Sequence, residues 1–227
     1  MPNKYSKQLI IQARADHTIT SGSKKISDKA ANGGLECETV DFPIQGEPGF
    51  PNKRYKLTAA LSKLDKNSRI YIRGHGNWKN QTVGGVDAQT WADTLIEAGM
   101  PSVKIVSVCA CRAALDLGSD FANVNSAGYV DADQARAAHS ADSFASKFHA
   151  RLKTGGVKVP IYARTYKVVT RSTLVKHTSD TKESGPGTGS RVHKRSFSKI
   201  LFDWQGNDQI RKWVSYSESD PESWTPV

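Results

Sequence analysis

Short apolar runs of strand length alternate with amphipathic segments of helix length through the first 163 residues, and this alternation limits the fold more than any other feature. The predicted strands cover 8–13, 37–42, 69–72, 103–108 and 157–163. The predicted helices lie within 27–32, 57–64, 88–98 and 141–152. Strands separated by helices pair in parallel, and such a sheet is covered on both faces. The sequence therefore predicts an α/β fold with a mostly parallel central sheet flanked by helices.

After residue 164 the pattern changes to short strands joined by polar turns, which is typical of antiparallel pairing. These strands are predicted at 168–169, 191–193 and 199–204. Loops rich in turn-forming or small polar residues are predicted at 43–51, 113–140 and 182–190. We therefore expect one domain with three parts. They are an α/β core (1–163), a basic antiparallel β-flap (164–206) and a C-terminal tail (207–227).

The positive charge of the chain is concentrated in one segment. The whole chain has a formal net charge of +10, and residues 151–199 alone hold 12 Lys or Arg and 2 Asp or Glu. Such a segment indicates a surface that meets a polyanion, such as nucleic acid, an anionic membrane or a polyphosphate. A solvated basic face that serves solubility is the alternative. No motif typical of DNA or RNA recognition is visible, so we do not expect a nucleic-acid partner.

The three cysteines, Cys37, Cys109 and Cys111, argue against a disulfide framework because their number is odd. Cys109 and Cys111 are too few for a structural zinc site without two further ligands, so we expect no metal. This use of cysteine fits a reducing compartment. No apolar run approaches the ~20 residues that a membrane span needs. The first residues also lack the apolar core of a secretory signal peptide, so we expect no such signal.

A histidine and a cysteine follow two consecutive predicted strands. His75, between Gly74 and Gly76, follows the third strand, and Cys111 follows the fourth. Functional groups of open parallel sheets collect past the carboxyl ends of the strands, so neighbouring strands would bring imidazole and thiol to one rim. A cysteine nucleophile needs such a base to form its thiolate. The backbone N–H groups of Gly76 and Cys111 are candidates for an oxyanion hole.

Simpler roles exist for each residue alone. A histidine after a strand is more often structural than catalytic, and a buried cysteine usually packs as a small hydrophobe. Cys109 fits the packing role, because it lies two residues before Cys111 on the same face of the strand. The joint pattern of the two strand ends favours a catalytic pair, His75 as general base and Cys111 as nucleophile.

The two motifs, I-R-G-H-G (72–76) and V-S-V-C-A-C-R (106–112), resemble the paired motifs of caspase-like cysteine peptidases. The chain is more closely similar to the autoprocessing cysteine-protease domain of RTX (MARTX) and large clostridial toxins, from residue 8 to about 206. The similar stretches include L-I-I-Q-A-R-A-D (9–16), Y-A-R-T-Y (162–166), V-K-H-T-S-D (175–180), V-H-K (192–194) and K-I-L-F-D-W-Q-G (199–206). The resemblance implies a caspase-like fold and an antiparallel flap.

The resemblance also implies an allosteric activator, inositol hexakisphosphate, bound by Lys and Arg side chains on the flap. The positions that fall on basic positions of the family pattern are Arg69, Arg164, Lys176, Lys194 and Lys199. Basic neighbours without a clear counterpart are Arg171, Arg191 and Arg195. Such clusters suit phosphate groups, because guanidinium and ammonium groups donate charge-assisted hydrogen bonds.

The resemblance assigns a further role to one position and departs from the family pattern at two others. A third catalytic carboxylate, present in some relatives, would fall near Asp16. Val175 stands where the pattern usually has a second basic residue, and Arg112 follows the cysteine where a small polar residue is usual. The first of these departures would reshape the phosphate pocket.

The resulting expectation is a cysteine endopeptidase with a Cys–His dyad, acting as a bacterial toxin or effector protease. Resemblance implies cleavage after a hydrophobic residue such as leucine, in the chain itself or in a host protein, and switching by inositol hexakisphosphate. We expect a monomer that is secreted without a conventional signal peptide and acts in host cytosol. Two alternatives remain open from the sequence: a non-catalytic module that binds nucleic acid or phosphoinositide with a vestigial Cys–His pair, and a cysteine-dependent acyltransferase.

Overall fold

The computed structural model describes residues 5–115, 140–165 and 199–212 in full, and only the backbone of 167–170, 176–179, 192–193, 213–216 and 224–226. Within these residues, an eight-stranded and mostly parallel sheet is flanked by four helices, and two three-stranded antiparallel sheets are added to it. The predicted α/β class with a mostly parallel sheet is confirmed. The predicted loops at 113–140 and 182–190 lie largely or wholly outside the described residues.

The elements are named in chain order. They are β1 (Lys7–Gln12), α1 (His17–Asn32), β2 (Glu36–Asp41), α2 (Phe50–Leu61), β3 (Arg69–Arg73), β4 (Gly76–Asn77), β5 (Thr82–Val83), β6 (Val86–Asp87), α3 (Ala88–Glu97), β7 (Ile105–Cys109), α4 (Phe144–Thr154), β8 (Ile161–Arg164), β9 (Lys167–Thr170), β10 (Lys176–Ser179), β11 (Val192–His193), β12 (Lys199–Gln205), β13 (Asp208–Tyr216) and β14 (Trp224–Pro226).

The main sheet has the strand order β14-β13-β12-β8-β7-β3-β1-β2. The five strands from β8 to β2 pair in parallel, so their carboxyl ends meet at one edge. The other three strands pair antiparallel. Helices on the connections between parallel strands cover the sheet, as parallel pairing requires.

The two faces of the main sheet differ in their cover. Helices α2, α3 and α4 pack on one face and form the larger apolar core, with Trp91 and Phe148 fully buried. Each fully buried side chain of this size stabilises the fold by about 1.5–3 kcal/mol. Helix α1 packs on the other face, where Ile26 joins Ile10, Tyr71 and Cys109. Alternation along β3 therefore sends Ile70 and Ile72 to the larger core, and places Arg69, Tyr71 and Arg73 on the α1 face.

Two helices begin well before their predicted positions. Helix α1 extends over 17–32 although the early Thr and Gly residues have low helix propensity, because Ile19, Gly22, Ser23, Ile26 and Ala30 form one buried stripe. Helix α2 begins at residue 50, within the predicted loop, with a proline in its first turn. Proline is well tolerated there, because the first N–H groups of a helix have no partner inside it.

The predicted flap and tail need a correction at their boundary. Strand β12 pairs antiparallel with β8 and so belongs to the main sheet, not to the flap predicted for 164–206. The reason is its alternating pattern: Ile200 and Phe202 are fully buried in the larger core. The predicted tail, 207–227, contributes β13 and β14 to the same sheet. Of the described strands in the predicted flap, β9, β10 and β11 form a separate antiparallel sheet.

One buried histidine joins α4 to the antiparallel half of the sheet. His149 has no exposed surface, stacks on Trp204 with 4.5 Å between ring centroids, and has its Nδ1 2.9 Å from Gln209 Nε2. Desolvation lowers the pKa of His149 from 6.5 to about 4. As the pH falls, His149 is therefore protonated below about pH 6.5 in the unfolded chain, but only below about pH 4 in the folded chain. Stability from this group is present above that range and is lost as the pH falls through it.

We expect wild type to lose about 2 kcal/mol of unfolding free energy between pH 7.5 and pH 5 through His149, by linkage. His149→Phe places a phenyl ring, which does not titrate, where the imidazole stood, so the stability of this variant should fall less over the same interval. Urea unfolding at the two pH values measures the difference. Equal pH dependence in the two proteins would show that His149 does not titrate as described.

Candidate active site

His75 and Cys111 lie at the same edge of the main sheet because the strands that precede them are neighbours. Strands β3 and β7 pair in parallel with Arg73 opposite Cys109. His75 lies two residues beyond Arg73, and Cys111 lies two residues beyond Cys109. The side chain of His75 is 61% exposed, and Cys111 is half-buried. The structure thus brings together the two residues that the sequence selected, at the carboxyl ends of two adjacent parallel strands.

Gly76 packs directly on the peptide group of Cys111. A Cβ added at Gly76 would overlap the carbonyl oxygen of Cys111 and lie 2.8 Å from its backbone nitrogen. Only glycine permits this approach. The two residues proposed for an oxyanion hole are therefore in backbone contact.

The carboxylate of Asp16 is the hydrogen-bond partner of the candidate base. Asp16 is the N-cap of α1, where one carboxylate oxygen accepts from the backbone N–H of Ile19 at 2.9 Å. The other oxygen lies 2.8 Å from His75 Nε2. The hydrogen bond from the Ile19 N–H is the largest cause, and the bond with His75 the next largest, of a pKa of Asp16 below its usual range. Asp16 is therefore an anion at neutral pH, placed to orient the imidazole and to stabilise its protonated form.

A small sheet that the sequence did not reveal supports the histidine. Strands β4, β5 and β6 form it, and each is only two residues long, too short for a periodicity signal. The carbonyl oxygen of His75 accepts from the N–H of Gly84 at 2.8 Å. Trp91 Nε1 donates to the carbonyl of Val83 at 2.9 Å and ties this sheet to α3.

The same sheet also reaches the segment after the cysteine. Gln81, in the left-handed region with φ 52°, donates from Nε2 to the carbonyl of Leu115 at 2.9 Å. Arg112, directly after Cys111, is left-handed as well, with φ 55°, and its guanidinium lies 5.9 Å from the centre of the Trp78 ring. Non-glycine residues in this conformation are uncommon and concentrate at functional sites. The departure from the family pattern at Arg112 thus coincides with an unusual backbone turn.

Two of the five predicted phosphate ligands are buried cations on adjacent strands. Arg164 on β8 is directly opposite Lys199 on β12, and they are only 8% and 5% exposed. Desolvation lowers the pKa of Arg164 to about 10, against the opposing influence of Cys109 and Tyr71. Its Nη1 is buried and has no hydrogen-bond partner among the described residues. The Nζ of Lys199 lies 3.5 Å from the centre of the Tyr162 ring.

Of the remaining predicted phosphate ligands, only Arg69 has a described side chain. Arg69 is half-buried on the same face of the sheet, where its Nη2 donates to Ser107 Oγ at 3.1 Å and its guanidinium lies 4.3 Å from the Tyr71 ring centre. The backbone of Lys176 lies in β10, but its side chain is outside the described part. The other predicted basic positions lie outside the described residues: Lys194, Arg171, Arg191 and Arg195.

One buried cation was not selected from the sequence. Arg73 is 5% exposed and lies opposite both Gln12 and Cys109. Continuing the register of β7 with β8, in which Ser107 is opposite Tyr162, places Arg164 opposite Cys109. Arg73, Cys109, Arg164 and Lys199 therefore form a row across four strands, one step below the sheet edge that carries His75 and Cys111. The alternation R-I-Y-I-R in β3 was the available signal.

The mostly parallel sheet with its flanking helices is consistent with a caspase-like fold. A family model of the peptidase C80 family matches residues 3–178, more than half of the chain. The chain therefore belongs to this family, the cysteine-protease domains of MARTX and clostridial toxins, and is a cysteine endopeptidase. The predicted family resemblance is confirmed. A comparison with curated proteins gave no match.

No group of three or more His, Cys, Asp or Glu side chains in the described part of the chain could hold a metal ion. No described helix is long and apolar enough to cross a membrane.

The contact between Gly76 and Cys111 predicts the effect of one methyl group. We expect Gly76→Ala to slow labelling of Cys111 by a thiol-directed peptide probe at least tenfold, because the Cβ must displace the Cys111 peptide. Overpacking of this kind also costs about 1–3 kcal/mol of stability. Peptide-mapped mass spectrometry measures the labelling rate. Gly33→Ala is the control, since Gly33 is exposed at the end of α1 and its φ of −88° is one that alanine adopts. Unchanged labelling in Gly76→Ala would contradict the close contact.

Proposed function

We propose that this cysteine endopeptidase uses a Cys111–His75 pair oriented by Asp16 and is switched on by inositol hexakisphosphate. The observation that carries the catalytic part is the register of β3 with β7, which aligns the two residues at one sheet edge. The contact of Gly76 with the Cys111 peptide supports the same assignment. The buried, unpartnered Nη1 of Arg164 supports the anion-binding part.

His75 acts as general base and then as general acid. Since Nε2 faces Asp16, Nδ1 is the nitrogen that takes the thiol proton. The thiolate of Cys111 attacks the carbonyl carbon of the scissile peptide, and the negative charge moves to the carbonyl oxygen. The N–H groups of Gly76 and Cys111 donate to that oxygen and stabilise it.

Collapse of the tetrahedral intermediate breaks the carbon–nitrogen bond and completes the first half of the reaction. The leaving amine takes the proton from His75, and the acyl group stays on Cys111 as a thioester. Water then gives a proton to His75 and attacks the thioester carbon. This step releases the carboxylic acid product, and the proton returns to the thiolate. Asp16 remains ionised throughout and favours the imidazolium that forms in each half.

The residues present fit a polyphosphate activator. A buried guanidinium normally has its donors satisfied, and an unsatisfied one is costly. Arg164 has such a donor, beside a buried lysine on the next strand and near Arg69 on the same face. Phosphate oxygens would supply the missing acceptors. Bound there, the activator would supply negative charge that lets these cations remain close together.

The proposal also covers the substrate of the peptidase, its location and its oligomeric state. The family relation supports a polypeptide substrate, either this chain or a host protein, with a hydrophobic residue such as leucine before the cleaved bond. It also supports a role as a secreted bacterial toxin or effector domain in host cytosol, where inositol hexakisphosphate is available, and we propose that the domain acts there as a monomer.

Intact-mass spectrometry with a leucine-containing thiol probe tests both parts of the proposal. Wild type should be labelled at least tenfold faster with inositol hexakisphosphate than without it, and Cys111→Ala should not be labelled under either condition. Labelling that is equally fast without the ligand would keep the peptidase site and overturn the switch. Absence of labelling in every sample would overturn the catalytic assignment.

Two further variants separate the anion site from a general charge effect. Arg164→Met keeps the aliphatic stem and removes the guanidinium, so half-maximal labelling should need at least tenfold more ligand. Arg54→Met removes the same charge from an exposed position on α2, where Arg54 pairs with Glu97, and should leave the ligand requirement unchanged. An equal shift in both variants would mean that net charge, and not a site at Arg164, governs the response.

A further inference from the structure

A buried arginine next to the catalytic edge has no role in the proposed chemistry. Arg73 is the last residue of β3, two positions before His75, and it is 5% exposed. Its Nε is buried and has no hydrogen-bond partner among the described residues. Because a guanidinium is always charged, burial of this kind is costly and calls for a structural explanation.

The guanidinium of Arg73 lies against the backbone of α1 at Gly22. A Cβ added at Gly22 would overlap Nη2 of Arg73 and lie 3.0 Å from its Cζ. Gly22 is buried in the interior of α1, a position that glycine disfavours because of its backbone entropy. The close approach of the arginine accounts for the glycine. The Arg73 side chain therefore connects strand β3 to helix α1, because its guanidinium packs directly on the backbone of α1 at Gly22.

The same two elements carry the two partners of the Asp16–His75 hydrogen bond. Asp16 caps the N-terminus of α1, and His75 follows β3 directly. Asp16 lies six residues before Gly22, so the two are about 9 Å apart along one continuous helix. A rotation or shift of α1 on the sheet would move Asp16 relative to His75. The contact between Arg73 and Gly22 opposes such movement in the half of α1 that Asp16 caps.

We infer that Arg73 is a positioning residue for His75, which acts by seating α1 on β3 so that Asp16 stays within hydrogen-bond distance of the imidazole. The inference rests on the proposed catalytic function and adds the residue that holds its orienting carboxylate in place. Helix α1 also contacts β9, a strand of the separate antiparallel sheet formed by β9, β10 and β11. A displacement of β9 that moved α1 would therefore change the contact between α1 and Arg73, and through it the position of Asp16 relative to His75.

The test is a double-mutant cycle on the rate at which Cys111 is alkylated by iodoacetamide at pH 7, resolved from Cys37 and Cys109 by peptide mapping. Asp16→Asn should slow alkylation of Cys111 at least threefold, because the imidazolium that stabilises the thiolate loses its partner. Arg73→Met should slow it to a similar extent. In the Asp16→Asn background, Arg73→Met should change the rate less than twofold, because the two residues act through one interaction. Arg73→Lys, which keeps charge and length in part, should recover at least half of the lost rate.

A matched pair of variants tests the contact itself. Gly22→Ala should slow alkylation as Arg73→Met does, because the methyl group displaces the guanidinium. The double variant Gly22→Ala with Arg73→Met should be no slower than Arg73→Met alone, because the overlap is gone. Urea unfolding of each variant separates loosening of the whole fold from this local effect.

The outcomes distinguish the inference from the proposed function. If Asp16→Asn slows alkylation and Arg73→Met does not, the role of Arg73 is overturned and the catalytic assignment stands. If the effects of the two substitutions add in full, Arg73 acts on stability and not through Asp16, and the inference is again overturned. If Asp16→Asn itself has no effect, the orienting role of Asp16 and the inference fall together.

Discussion

The parallel pairing of β3 with β7 is the interaction on which the rest of the site depends. A register with Arg73 opposite Cys109 carries His75 and Cys111 to equivalent positions beyond the sheet. A slip of one residue would turn every side chain of one strand to the opposite face. The fully buried Ile70 and Ile72 oppose such a slip, because it would turn them away from the larger core. The geometry of the candidate active site is thus a consequence of how the core packs.

The same alternation that buries isoleucine on one face places cations on the other. Arg73, Arg164 and Lys199 are nearly excluded from solvent one step below the catalytic edge. Buried charges of one sign destabilise a fold unless a partner balances them. In our proposal, part of that balance comes from outside the chain, as a polyphosphate beside Arg164. Cys111 follows β7 and Arg164 lies on the adjacent strand β8, so that a change at the activator site would reach the catalytic pair through neighbouring strands of one sheet.

The sequence predicted the features that depend on local pattern. Alternation and apolar runs located the parallel strands, and the two strand ends selected His75 and Cys111. The resemblance added Asp16, which the structure places on His75 Nε2. Features set by tertiary context were missed. The two-residue strand β5 is held by tertiary hydrogen bonds, from Trp91 to Val83 and from Gln81 to Leu115, and β12 joins the main sheet because Ile200 and Phe202 complete its core. Arg73 was missed because its burial depends on Gly22, a residue distant in sequence.

The pH dependence of Cys111 alkylation in wild type and in His75→Gln tests the central claim most directly, with each protein measured with and without inositol hexakisphosphate. An ordinary thiol is alkylated about tenfold more slowly for each pH unit below a pKa of about 8.5. If His75 is the base of Cys111, the rate of wild type with ligand should fall less steeply with decreasing pH than the rate of His75→Gln, which should follow the ordinary decline. Identical profiles in the two proteins would contradict the assignment of His75 and Cys111 as one catalytic pair.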